Sequence, residues 1–350
     1  MPQFSAIDAI SPAFAHTKRQ LFSPIRFALW LRLGVVSLVT GEFAGGSGGA
    51  ANVSLPSGSG TTGKEFLFRS NPIGTVVETY LPWILLGLVV LFALGLIAVY
   101  IASVFRFVLF DTVLTDRSRL NEGWRRWQEP GGSYFLFQMS FALALLGVLA
   151  VLVGGPVYFA WRAGVFQQPD QHVGLLLAGG VTLFFVVVGV VLLGMLVSLL
   201  AKDFVVPLMA LENLRVLEAW RRLLPLLAAD KMAYGGYVLM KIVLAVGSAI
   251  LFGIINVIVL LVLILALGAV GAAILLAGSA AGLTWNYYTI GLAVLLGSLA
   301  VMFVLYVIAV ISAPAMVFFQ AYSLHFFGPR YPLLGTMLAR IAPPSPAAAA

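Results

Sequence analysis

The sequence predicts an all-α, polytopic transmembrane helix bundle of about six spans, with internal helix–loop–helix repeats and amphipathic interfacial helices. Three observations carry the membrane part of that prediction. Hydrophobic residues make up 61% of the 350 positions and charged residues 9%, whereas soluble domains carry roughly a quarter charged residues. A chain this poor in charge cannot cover a water-facing surface. Residues 173–201 contain no charged residue at all, and roughly 18–20 apolar residues suffice to cross a bilayer as a helix. Finally, the apolar runs are continuous rather than alternating, which excludes barrel strands and leaves helices, whose backbone groups are satisfied internally in lipid.

Taken in order, residues 1–26 read as an N-terminal segment with an amphipathic helix between Pro12 and Pro24. Residues 27–41 form the first expected span, short and interrupted by Arg32. Arg32 is close enough to the segment's start to snorkel to the interface; the alternative is a helix lying in the interface. The long polar lead containing Asp8, together with Arg32, argues against a cleavable signal peptide. Residues 42–80 read as an extracytoplasmic Gly/Ser-rich loop. A bundle over 81–320 follows, with spans expected near 81–104, 134–156, 174–200, 236–266 and 289–313. The Gly- and Ala-rich stretch 267–287 reads as a wide apolar connection, and 321–350 as a tail ending in a Pro/Ala-rich run.

Charge orients this plan. Lys18, Arg19, Arg26, Arg106, Arg117, Arg119, Arg125, Arg126, Lys202, Arg215, Arg221, Arg222, Lys231, Arg330 and Arg340 fall on one side, and only Lys64, Arg69 and Arg162 on the other. The positive-inside rule then places both termini in the cytoplasm, in a bacterial-type inner membrane. The net charge of +7 is accounted for in the same way, without nucleic acid.

A charged pattern occurs twice. Asp116, Arg119, Glu122, Trp124, Arg125 and Arg126 recur as Glu212, Arg215, Glu218, Trp220, Arg221 and Arg222, each 96 positions later (212 − 116 = 96; 222 − 126 = 96). The i, i+3 and i+4 spacings put opposite charges on one helical face, each pair contributing a few tenths of a kcal/mol. Asp116, Glu122, Glu212 and Glu218 are the expected structural ion-pair partners. Trp favours the headgroup region and Arg attracts anionic lipid, so Arg119, Trp124, Arg125, Arg126, Arg215, Trp220, Arg221 and Arg222 are the candidate lipid- or partner-binding set. A looser echo links Val-Pro-Leu-Met at 206–209 with Ala-Pro-Ala-Met at 313–316.

The stretch Val-Pro-Leu-Met-Ala-Leu-Glu-Asn at 206–213, running into Leu-Glu-Ala-Trp-Arg-Arg at 217–222, resembles multi-pass bacterial proteins of the glycerophosphoryl diester phosphodiesterase membrane-domain-like kind. Lys-Arg-Gln-Leu-Phe-Ser-Pro at 18–24 and Tyr-Ser-Leu-His-Phe-Phe-Gly-Pro-Arg-Tyr at 322–331 extend the likeness. The resemblance implies a membrane domain rather than phosphodiesterase activity.

Other motifs point to little chemistry. Gly58, Gly63 and Lys64 mimic a phosphate-binding loop, but Glu65 stands where Ser or Thr should hold Mg²⁺. Asn52-Val53-Ser54 fits a glycosylation acceptor that has no expected use here. His16, His172 and His325 lie in separate segments and read as interfacial rather than as metal ligands. The chain has no cysteine, hence no disulfide or thiolate chemistry. Within the expected spans the ionisable groups are Arg32 and Lys241, the latter near enough to an end to snorkel; Asp111 and Asp203 read as interfacial partners of Arg106 and Lys202. No catalytic set, metal site or cofactor is expected. The expected function is a non-enzymatic membrane protein binding anionic lipid or a protein partner, with homo-oligomerisation open. The alternative is a transporter or lipid-translocating protein.

Overall fold

A computed structural model of the chain describes residues 5–23, 27–41, 73–115, 120–282, 284 and 286–341. Among these the architecture is entirely helical: α1 (Ile10–Phe22), α2 (Phe27–Thr40), α3 (Ile73–Thr115), α4 (Leu120–Arg162), α5 (Val173–Leu200), α6 (Val206–Glu212), α7 (Val216–Ala229), α8 (Lys231–Ala280), α9 (Tyr287–Phe327) and α10 (Pro332–Ile341). One π-helical turn, Ala201–Val205, joins α5 to α6.

Five stretches are long and apolar enough to cross a membrane: Leu81–Thr115, Glu122–Arg162, Val173–Glu212, Lys231–Ala280 and Tyr287–Arg330. At about 1.5 Å per residue, α8 with its 50 residues is about 75 Å long, more than twice a hydrocarbon core of about 30 Å. α2 has 14 residues, about 21 Å, and is shorter than that core.

Packing is concentrated at one end of the bundle. The buried core comprises Phe107 to Val113 of α3, Phe204 to Met209 around the π turn, Tyr234 and Tyr237 of α8, and Met316 to Phe327 of α9. Beyond it the helices present apolar walls outward: Leu86 and Phe92 of α3, Leu143 and Val151 of α4, Phe185 and Leu192 of α5, Leu251 and Leu261 of α8, and Leu295 and Met302 of α9 are all exposed. A soluble protein does not leave apolar surface of this extent open to water. Lipid is the medium that covers it, and the chain is an integral membrane protein.

The terminal helices complete the packed end. α1 is seated against the closing turns of α3 and the second half of α9. His16 Nε2 donates to Val113 O (3.1 Å) and Gln20 Nε2 to Thr112 O (2.9 Å). These are carbonyls of the last described turn of α3. α1 is thus hydrogen-bonded across to α3, and Pro12 falls in the first turn of α1, where the missing N–H costs nothing. α2 lies along α9. Tyr306 donates to Leu31 O (3.1 Å), and Gly34 meets Val310 so closely that a Cβ would lie 2.3 Å from Val310 Cγ2.

Two expectations are corrected. The stretch 267–280 is no loop but the continuation of α8. Gly lowers helix propensity by about 1 kcal/mol in water, but in lipid a broken helix leaves backbone groups unsatisfied at several kcal/mol each. The connection shrinks to a turn through Gly282 (φ +76°). Asn286 then starts α9 with a reciprocal cap: its Oδ1 accepts from Tyr288 N and Thr289 N, and Thr289 Oγ1 accepts from Asn286 N (2.8 Å). The other correction concerns the pattern from Glu212 to Arg222, which does not lie on one helical face. Asn213 adopts the left-handed conformation (φ 53°, ψ 42°) and separates α6 from α7.

Candidate functional site

The packed end holds a charged centre that the sequence reading missed. The π turn accommodates one extra residue in the helix, and Asp203 in that turn is buried, its side chain 2% exposed. Lys241 of α8, 5% exposed at its side chain, forms an ion pair with Asp203 Oδ2. Tyr237, one turn before Lys241, donates to the same oxygen (2.9 Å). Aromatic rings enclose the group. Tyr237 stacks on Tyr322 (5.2 Å between centroids, 10°) and contacts Phe326 (4.5 Å) and Phe204 (5.1 Å).

Both sequence expectations for this pair are thereby corrected. Lys241 does not snorkel and Asp203 is not interfacial. Lys241 stays inside because the carboxylate of Asp203 is within its reach. Spacing on α8 held a signal, since Tyr234, Tyr237 and Lys241 share one face at i, i+3 and i+7. Buried and mutually bonded, these three side chains make a latch between α8 and the π turn.

The two Arg–Trp segments occupy different local structures. In the second, Arg215 opens α7 and its N–H donates to Glu218 (3.3 Å), one half of a capping box. Glu212, at the end of α6, pairs with Arg222 of α7 across the Asn213 break. This replaces the expected i, i+3 contact with Arg215, because the left-handed residue turns α7 back toward α6. Arg215, Arg221 and Arg222 are exposed, while Trp220 is half-buried against Phe137 of α4 (6.2 Å).

The first segment is no separate short helix. Glu122, Trp124, Arg125 and Arg126 form the opening turns of the long α4. Trp124 packs on Tyr100 (6.3 Å) and Phe105 (5.7 Å) of α3. Arg125 and Arg126 are exposed, and the Arg126 guanidinium lies 4.8 Å over the ring of Trp127, which is buried on Phe107. Asp116 and Arg119 lie outside the described residues, as do Arg26, Lys64, Arg69, Arg117, Asn52 and the 58–65 loop. In both segments, then, a tryptophan is held by the bundle while paired arginines point outward.

The histidines are placed differently from expectation. His16 and His325 come together, their rings 5.6 Å apart and edge-on, inside the seat of α1; His172 precedes α5 at the other end. They were separated in sequence because α1 and α9 are the first and ninth helices. At the same end Asp230, just before α8, accepts from Arg330 Nε and Nη2 (3.1 and 2.9 Å), tying the start of α8 to the end of α9. No group of three potential metal ligands occurs among the described residues.

Between α3, α4 and α5 runs a lateral groove of about 420 Å³. Arg106 and Lys202 stand at its packed end, and Phe141, Leu145 and Met195 form its walls further along.

No curated protein and no solved structure matches the chain. A family match covers nearly its whole length, residues 4–337. The chain belongs to the family of unknown function DUF7544.

Proposed function

We propose that this is a non-enzymatic membrane protein whose basic end faces the cytoplasmic leaflet of a bacterial-type inner membrane and binds its anionic headgroups. The observation that carries the reading is the common disposition of the two Arg–Trp segments. Trp124 and Trp220 are fixed by packing at the packed end, where the apolar walls stop, with Arg125, Arg126, Arg221 and Arg222 exposed beside them. Trp at headgroup depth and Arg beside it are the pair that holds an anionic surface; each basic residue near such a surface contributes about 1 kcal/mol. The resemblance to glycerophosphoryl diester phosphodiesterase membrane-domain-like proteins supports the membrane part of this reading and adds no chemistry to it. A second reading, lipid translocation, draws on the lateral groove.

The test uses the full chain in detergent doped equally with phosphatidylglycerol and phosphatidylcholine. Native mass spectrometry counts the lipids retained. The wild type is expected to retain phosphatidylglycerol preferentially, and the variant with Arg125, Arg126, Arg221 and Arg222 all changed to Gln to lose that preference. An unchanged preference in the variant refutes the reading.

A further inference from the structure

The lateral groove has a polarity that all three of its helices share. On α3, Arg106 stands at the packed end and Val99 lies two turns further out. On α4, which runs the opposite way, Tyr134 and Gln138 come first and Phe141 and Leu145 follow. On α5 and the π turn the order from the packed end is Lys202, Ser198, Met195 and Val191. The charged and polar lining residues thus lie toward the packed end, interleaved there with Phe137, Leu199 and Ala201, and the far end is apolar.

Length fixes what fits. From Lys202 back to Val191, and from Tyr134 on to Leu145, is 11 residues (202 − 191 = 11; 145 − 134 = 11). That is about 16 Å of helix, or half of a hydrocarbon core of about 30 Å. The groove is one leaflet deep. Its volume of about 420 Å³ falls within the roughly 300–1,000 Å³ of ligand sites. Ala142 and Met195 on its rim are exposed, so the groove opens sideways into the bilayer and not toward water.

The headgroup end is built. Arg106 donates through Nη1 to Tyr134 Oη (2.9 Å) and lies 5.7 Å from that ring's centroid, which orients a half-buried guanidinium. Ser103 of α3 bonds the Gln138 side chain (2.9 Å) and fixes the α3–α4 wall. Gly194 lets α5 approach α4 at Leu145, closing the apolar end: a Cβ there would lie 2.8 Å from Leu145 Cδ2. The described residues lining the groove include two cations, Arg106 and Lys202.

We propose that this groove holds one anionic glycerophospholipid, with its phosphate on Arg106 and Lys202 and an acyl chain along Phe141, Leu145 and Met195. The proposal deepens the reading that the basic end meets an anionic leaflet, but it names a single intramembrane site distinct from the surface arginines. Charge complementarity selects the headgroup, and one-leaflet depth selects a lipid over a soluble phosphate.

The experiment is native mass spectrometry of the full chain in the same phosphatidylglycerol and phosphatidylcholine mixture, at activation energies that strip loosely held lipid. The wild type is expected to keep one phosphatidylglycerol. Ala142→Trp fills the groove from its exposed rim and is expected to abolish that retention, while Leu143→Trp, on an exposed neighbour that does not line the groove, keeps it. Equal melting temperatures of the two Trp variants show that folding is not the cause. Lys202→Gln is expected to lower occupancy about tenfold, the loss of one charge-assisted contact of about 1.4 kcal/mol. The variant lacking the four surface arginines keeps the single lipid even where it loses the surface preference, so the two readings fail separately. Wild type with no retained lipid, or Ala142→Trp retaining it like wild type, overturns the proposal. Full occupancy in Lys202→Gln overturns the headgroup assignment.

Discussion

Removing the carboxylate of Asp203 should be among the costliest single changes in this protein. The side chains of Asp203 and Lys241 are 2% and 5% exposed, so water cannot replace either partner. Breaking a buried ion pair from one side costs about 3–5 kcal/mol, because the remaining charge is left uncompensated. Asp203→Ala also deprives the Tyr237 hydroxyl of its acceptor, which places it at the upper end, about 5 kcal/mol. Lys241→Met leaves Asp203 with the Tyr237 hydrogen bond and should cost nearer to about 3 kcal/mol. Removing all the polar groups together, in Asp203→Leu/Lys241→Met/Tyr237→Phe, leaves no orphan and should return stability to within about 1–2 kcal/mol of wild type. Reversible unfolding of the purified protein in lipid discs, followed by tryptophan fluorescence, orders the four proteins. The reasoning is refuted if Asp203→Ala lies within about 1 kcal/mol of wild type, or if the triple variant is as unstable as the single.

Two further outcomes follow from backbone geometry. Gly131→Ala and Gly34→Ala each introduce a Cβ into occupied space, at 2.7 Å from Val104 Cγ2 and 2.9 Å from its Cα in the first case, and 2.3 Å from Val310 Cγ2 in the second. Each should lower stability by about 1–3 kcal/mol in the same unfolding assay, while Gly189→Ala, which meets nothing within 4 Å, should not. Asn213→Gly keeps the left-handed break between α6 and α7 and should be tolerated; Asn213→Val should cost about 1–2 kcal/mol, detected as faster proteolysis between those helices.

Much of this architecture is legible in the sequence because lipid imposes a single rule, that apolar runs of sufficient length become helices. The runs ending near Leu200 and beginning near Gly236 can be read directly. The same rule, applied too weakly, turns the Gly/Ala stretch after Ala266 into a connection, although it completes α8. The Arg–Trp segments can be found in the sequence by their charge pattern, yet their ion pairing cannot. Glu212 meets Arg222 through a turn set by one residue's φ, and periodicity carries no information about such a break. The Asp203–Lys241 latch is illegible for a related reason. Its partners lie 38 residues apart, and the inward aim of Asp203 depends on a π turn with no composition signature. His16 and His325 meet because α1 folds over the end of α9, a tertiary choice that neither segment encodes alone.

The seat of α1 has a consequence for how the molecule is made. α1 leaves the ribosome ahead of every long helix, but part of its seat is α9, the last of them: Tyr322 donates to the carbonyl of Ala6 (3.1 Å) across 316 residues. Long helices can enter a bilayer one by one, each self-sufficient in hydrogen bonds. The packed end has no such independence, since α1 is bonded both to the last described turn of α3 and, through the residues just before it, to α9. Assembly therefore ends in one late closing event that joins α1 to α9. A nascent chain stalled before α9 would be threaded through the membrane yet unfinished, with the polar face of α1 displayed to any protease that surveys the bilayer.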